Sequence, residues 1–212
     1  GSSYIAASYV KYLESAGARV VPIRINRTDE EYEKIFNSIN GLLLPGGDVD
    51  LQTSQFSRLS KIFYDLAIKG FQQMTVLTSN KNLLTLTDTK AVALPLTFTP
   101  GQRQHRSLSK DNITSNFHSW SLSLQVLTDD VNKHTHWHPE KSPFEWVDKP
   151  GMVHSAASVR ASFYTAHFFV SEAMKNHHKF SSASEEERAL IYNYSPVFTG
   201  LDGIFVQNYY FD

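Results

Sequence analysis

Four stretches of this 212-residue chain carry side chains suited to acyl-transfer or hydrolytic chemistry. Pro45-Gly46-Gly47 follows the apolar run Leu42-Leu43-Leu44. Ligands of open α/β sheets bind at the carboxyl edge. Glycines there reach positive φ and let backbone N–H groups approach a substrate oxygen, and such donors stabilise the oxyanion of acyl transfer. The same triplet also reads as a plain strand-to-loop turn. His138-Pro139-Glu140 is the second stretch. In an extended segment, positions two apart share a face. Glu140 could then accept from one imidazole nitrogen and leave the other as general base, the base-plus-orienter arrangement of thiol and serine hydrolases. The plainer reading is a surface histidine before a proline turn. Third, His134, His136 and His138 alternate. On a strand they would point one way, and three histidines plus a carboxylate can hold zinc with an open position; histidine-rich loops are more commonly solvated. Fourth, His118, within Asn116-Phe117-His118-Ser119-Trp120, opens an amphipathic strand and on its own reads as a satisfied edge histidine.

Composition narrows the chemistry. The chain has no cysteine, which excludes disulfides, thiolate metal sites and a cysteine nucleophile. Hydrophobic residues at 41% and charged residues at 19% describe a globular chain with enough length for one sizeable core. A net charge of −1 gives no basic surplus for nucleic acid or an anionic membrane. No apolar run is long enough to span a bilayer. The opening Gly1-Ser2-Ser3-Tyr4 lacks the basic and apolar regions of a leader, so any signal peptide is expected to be gone already. Acceptor sequons at Asn26, Asn112 and Asn193 lean toward a secretory-pathway protein.

These residues need elements to position them. Ile5, Tyr9, Tyr12, Leu13 and Ala16 recur at helical spacing, with Gly17 suited to the position after the helix. Ala18 to Ile25 reads as a buried strand. Thr28 and Glu31 form a capping box for a helix whose apolar face is Tyr32, Ile35, Phe36 and Ile39. Leu42 to Leu44 reads as a short apolar strand. A helix from about 55 to 70 turns Leu59, Ile62, Phe63 and Leu66 inward. This alternation predicts an α/β fold, a mostly parallel central sheet with helices on both faces. Leu83 to Thr99 predicts antiparallel ribbons instead, and Trp120, Leu122, Leu124 and Val126 alternate with polar residues as in a half-buried strand. A helix from about 155 to 176, lined by Val159, Phe163, Phe169, Val170 and Ala173, and a short helix capped at Ser184 complete one domain over 1–212.

The pieces occur in a recognisable order. Tyr4 to Pro22, Ser38 to Gly47, Asn116 to Ser123, Trp137 to Lys141 and Ser184 to Tyr192 together resemble the γ-glutamyl hydrolases, thiol peptidases on the class I glutamine-amidotransferase frame. The resemblance implies removal of γ-linked glutamates from folylpoly-γ-glutamates, without cofactor or metal, by a lysosomal or vacuolar and secreted enzyme that is often a homodimer. Carried over by motif, His138 corresponds to the catalytic base, Glu140 to its orienter and His118 to a second active-site histidine. Gly46 and Gly47 correspond to the oxyanion turn, and Tyr4 would sit near the substrate's glutamate.

The chain departs from the family in four places. The nucleophile elbow is missing: Phe71-Gln72-Gln73 runs directly into Met74-Thr75-Val76-Leu77. The first core strand, expected before Tyr4, is absent. The strand leading to His138 has shrunk to Asn132-Lys133-His134-Thr135, and 101–112 is shorter than in the family. A parent chain with segments left out, a truncated or spliced form and a pseudoenzyme each account for these gaps; breaks inside core elements favour the first. As it stands the chain is expected to be inactive. The alternatives are a non-catalytic binder of γ-glutamyl peptides and a metal-dependent hydrolase using His134, His136 and His138.

Overall fold

A computed structural model describes residues 3–47, 49–50, 52–70, 84–95, 111–122, 137–201 and 203–212, with 68–70, 84–90 and 118–122 described by backbone alone. The expected break between Gln73 and Met74 lies outside these residues.

The described part is α/β, with helices and two small antiparallel sheets. β1 (Ser3–Ala6) runs directly into α1 (Ala7–Glu14), which buries Ala7, Ser8, Tyr9, Val10 and Tyr12. Gly17, at φ 91°, ends that helix as expected. β1 pairs with β5 (Gln207–Phe211), which also pairs with β4 (Val197–Phe198). The sequence reading missed β1, because four residues leading into a helical pattern carry no period of their own.

α2 (Asp29–Phe36) starts at the expected capping box. Glu31 donates its N–H to the Thr28 hydroxyl at 3.3 Å, and the Thr28 N–H donates to the Glu31 carboxylate at 3.0 Å. α3 (Gln55–Gly70) lays Leu59 and Phe63 against α2, where Tyr32 is fully buried and meets Phe63 edge-on. β2 (Leu84–Leu94) and β3 (Thr114–Leu122) form the expected antiparallel ribbon, with register shifts either side of Thr89 and Lys90.

α4 (Lys141–Phe144) and α5 (Ala156–Ala173) follow. α5 buries Val170 as expected, but the rest of its buried face is Ser158, Ala161, Ser162 and Ala166, and Phe163 is 41% exposed. Small side chains let α5 approach closely, so that Ser158 donates to the Ile113 carbonyl and reaches Ser142 Oγ at 2.8 Å. α6 (Ala183–Ala189) is capped by Ser182, two residues earlier than expected.

The expectation of a mostly parallel central sheet meets its limit here. Neither Ala18–Ile25 nor Leu42–Leu44 forms a ladder among the described residues, where every strand pairing is antiparallel. A strand exists only through its neighbours. Among the described residues, the first run is held to a remote segment by a backbone bond from Ile191 N–H to the Val20 carbonyl, at 2.9 Å.

Candidate functional site

His138 is anchored by its own backbone: its N–H donates to the Ser115 carbonyl of β3 at 2.9 Å. The chain then turns, with Lys141 N–H donating back to the His138 carbonyl at 3.2 Å and Glu140 in helical backbone geometry. Across that turn, His138 Nδ1 lies 2.8 Å from Glu140 Oε1. The pair meets as expected, but through a turn rather than along an extended segment. Glu140 is only 2% exposed, and its carboxylate also hydrogen-bonds with the Tyr9 phenol.

Pro45-Gly46-Gly47 lies beside this pair. A Cβ placed on Gly46 would sit 3.8 Å from His138 Cε1 and 3.3 Å from the Tyr9 hydroxyl. The Gly46 N–H donates to that hydroxyl at 3.2 Å. It is thus engaged, whereas a Cβ placed on Gly47 would meet nothing within 4 Å.

Tyr9 binds the two halves together. Burial pushes its phenol pKa well above the ordinary 10.0, the Glu140 charge pushes it further, and the Gly46 N–H pulls the other way. Lys141 is 6% exposed, and its ammonium lies over the Phe117 ring at 5.1 Å and the Phe205 ring at 4.7 Å. Burial lowers its pKa, while the charges of Glu140 and Glu145 raise it. Glu145, also buried, accepts from the Val206 N–H at 2.8 Å, which ties down the segment carrying Phe205. Phe117 meets His138 edge-on at 6.0 Å.

The sequence-derived residues distribute as follows. His138, Glu140 and Gly46 come together, and Gly47 adjoins them in the chain. Tyr4 is 51% exposed on β1 and touches Phe205 with ring centroids 6.3 Å apart. Phe205 in turn contacts Tyr9, which places Tyr4 at the rim. His118 is in β3, paired with Thr89, and its side chain is outside the described residues. So are His134 and His136; among the described residues no group of His, Asp and Glu is arranged to hold a metal ion. Tyr9, Phe117, Lys141, Glu145 and Phe205 were not singled out. Tyr9 read as one more apolar helix position; Lys141 directly follows the His-Pro-Glu triplet and Glu145 lies five residues beyond it, the only sequence signal for either.

Comparison with known proteins bears on this arrangement. The Peptidase C26 family profile matches residues 1–62. The γ-glutamyl hydrolase of Homo sapiens is 43% identical over 267 positions, covering all of this chain and 84% of the relative. Gamma-glutamyl hydrolase B of Dictyostelium discoideum is 32% identical over 94% of this chain and 74% of its own length. The chain belongs to the γ-glutamyl hydrolase family. Gamma-glutamyl hydrolase 1 of Arabidopsis thaliana, at 27% identity over 95% of the chain, extends the likeness to plants. The human match spans 267 positions against 212 residues here, so the relative carries residues with no counterpart in this chain. This family member also contains no cysteine. Among the described residues, no helix is long and apolar enough to cross a membrane.

Proposed function

We propose that this chain is a γ-glutamyl hydrolase scaffold that keeps the proton-transfer and recognition side of the site and lacks the nucleophile. The observation that carries this reading is the His138–Glu140 pair, with Nδ1 to Oε1 at 2.8 Å, beside the Gly46 turn. In the thiol chemistry of the family, an ionised sulfur attacks the γ-amide carbonyl. His138 protonates the departing glutamate amine through Nε2 and later activates water against the thioester. Gly47 and the adjoining backbone face the oxyanion, and Tyr4 borders the glutamate. His118 is the second histidine of this reading.

The substrate class is the folylpoly-γ-glutamates, and the intact fold is a mostly parallel, amidotransferase-like single domain from which this chain lacks the nucleophile elbow. A lysosomal or secreted location, glycosylation at Asn26 and Asn112, and a homodimer belong to the same reading. Asn193 is a poorer acceptor, because its amide donates to the Glu187 and Leu190 carbonyls at 2.8 and 2.9 Å.

The purified chain should release no glutamate from a γ-linked diglutamyl peptide, and release that tracks with the pure protein would sink the claim. Calorimetry should still detect the peptide binding, with His138→Ala weakening it about tenfold, or about 1.4 kcal/mol. Absence of any saturable heat would leave an inert remnant rather than a binder.

A further inference from the structure

Asn40-Gly41 is the one place in the sequence where glycine follows asparagine. Glycine has no Cβ to shield its nitrogen, so in a free chain that nitrogen readily attacks the side-chain amide before it. Here the pair joins two elements, the end of α2 and the segment that follows α5. Asn40 Nδ2 donates to the Asn176 carbonyl at 3.0 Å and to the His178 carbonyl at 2.9 Å, which uses both of its hydrogens. His178 completes the junction. Its N–H donates to Asn176 Oδ1 at 2.7 Å, and its Nδ1 lies 2.9 Å from the Phe36 carbonyl oxygen. Its ring meets Phe36 edge-on, with centroids 5.6 Å apart. Gly41 is fixed by close approach to α5. A Cβ there would lie 3.1 Å from Ala173 Cβ and 3.4 Å from Phe169 Cζ, so a bulkier residue would push α5 away. Packing thus requires glycine at 41 and a double donor at 40, and those two requirements create a pair prone to cyclise.

We propose that Asn40 is a deamidation site gated by this junction, and that its conversion unfastens α2 from the segment after α5. In the reaction, Gly41 N bonds to Asn40 Cγ, the Cγ–Nδ2 bond breaks, and Nδ2 leaves as ammonia carrying the Gly41 amide proton. Water then opens the cyclic imide, at Cγ to leave aspartate or at the main-chain carbonyl carbon to leave isoaspartate. Asn40 is exposed, so that water is at hand. In the closed junction two carbonyls hold Nδ2 and fix the side chain, and attack waits for local opening. After conversion, a carboxylate that only accepts faces two carbonyl oxygens that have lost their donor. The inference stands apart from the catalytic reading, because none of its residues belongs to the His138 site.

The test is peptide mapping by mass spectrometry of the chain aged in mildly alkaline buffer, beside the free peptide Ser38–Leu43. Conversion of Asn40 to aspartate and isoaspartate should run at least about tenfold slower in the folded chain than in the peptide. In denaturing urea the rate should rise to that of the peptide, with Asn40 converting ahead of every other asparagine. In the converted fraction, and in Asn40→Asp, the His178 amide should exchange at least about tenfold faster, while that of Ile191, bonded to Val20, keeps its rate. The converted fraction forms after folding, so this readout does not depend on the variant folding. Three results would each overturn the proposal: equal rates in the folded chain and the peptide, which would mean that the junction gates nothing; another asparagine converting first in urea; or unchanged exchange at His178 after conversion, which would mean that Asn40 does not fasten the segment.

Discussion

Tyr9 is where the chemistry of single residues is easiest to probe. Its hydroxyl accepts from Gly46 N–H at 3.2 Å, and burial followed by the Glu140 charge holds its pKa above 10.0. The folded state therefore favours the protonated phenol. Its contribution to stability is fully present below pH 10 and is lost as pH rises beyond it. Lys141 has the opposite sign, since a lowered ammonium pKa makes the native chain shed that proton before the unfolded chain does, and stability gains as pH climbs toward 10.5. Comparing Tyr9→Phe with the unmodified chain isolates the phenol. The variant should be about 1 kcal/mol less stable at neutral pH and should lose less stability than the parent above pH about 10, read from denaturant midpoints. Parallel pH profiles would contradict the assignment. For His138, long-range ¹H–¹⁵N spectra of the neutral ring should report a proton on Nδ1. Glu140→Ala, which removes the acceptor, should abolish that preference, and an unchanged tautomer would mean the 2.8 Å contact does not set it. The pairing of these two residues was legible because they are two positions apart. Tyr9, Lys141 and Phe205 come from distant segments, and nothing local in the sequence marks them as neighbours.

At the scale of elements, local signals were read well and packing only in part: Leu59 and Phe63 turn inward as expected, whereas Phe163 does not. The Thr28 capping box and the Gly17 helix stop depend on a few adjacent residues, and both formed as expected. The buried face of α5 depends on what it meets, and β3 with α4 required small residues there. Gly151 shows how such elements lock. At φ 82°, it sits against the bulge of β2, and an added Cβ would lie 2.5 Å from the Ala91 carbonyl carbon. Ala91 itself has φ 58°. Gly151→Ala should cost about 1–3 kcal/mol, and it should release the β2–β3 ribbon from the turn, seen as faster exchange at Val92. A neutral effect on both would show that the ribbon is not held there.

Over the whole molecule, two apolar clusters share one connecting run. Val10, Ile191 and Phe211 form one, with Val20 packed against it; Tyr32, Leu59 and Phe63 form the other, with Ile23 against it. With no ladder between them, the clusters should unfold separately rather than in one transition. Phe63→Ala should destabilise its own cluster by about 3–5 kcal/mol, removing amide protection around Tyr32 while leaving that of Ile191 and Phe211 in place. Joint loss of protection at both clusters would refute the division.

Family membership, the longer helices and the missing sulfur were determined by the sequence alone, because each rests on residue identity and short-range period; the short helix Lys141–Phe144, where the sequence read as a loop, was not. Whether apolar runs become strands was decided only in three dimensions. Val20 to Ile25 and Leu42 to Leu44 have strand-forming side chains, yet a strand requires a neighbour to take its N–H and C=O groups, and no neighbour is encoded within those runs. The meeting of His138 with Gly46 was decided in the same way. It depends on β3 holding His138 through Ser115 and on α1 delivering Tyr9, contacts between segments far apart in the chain.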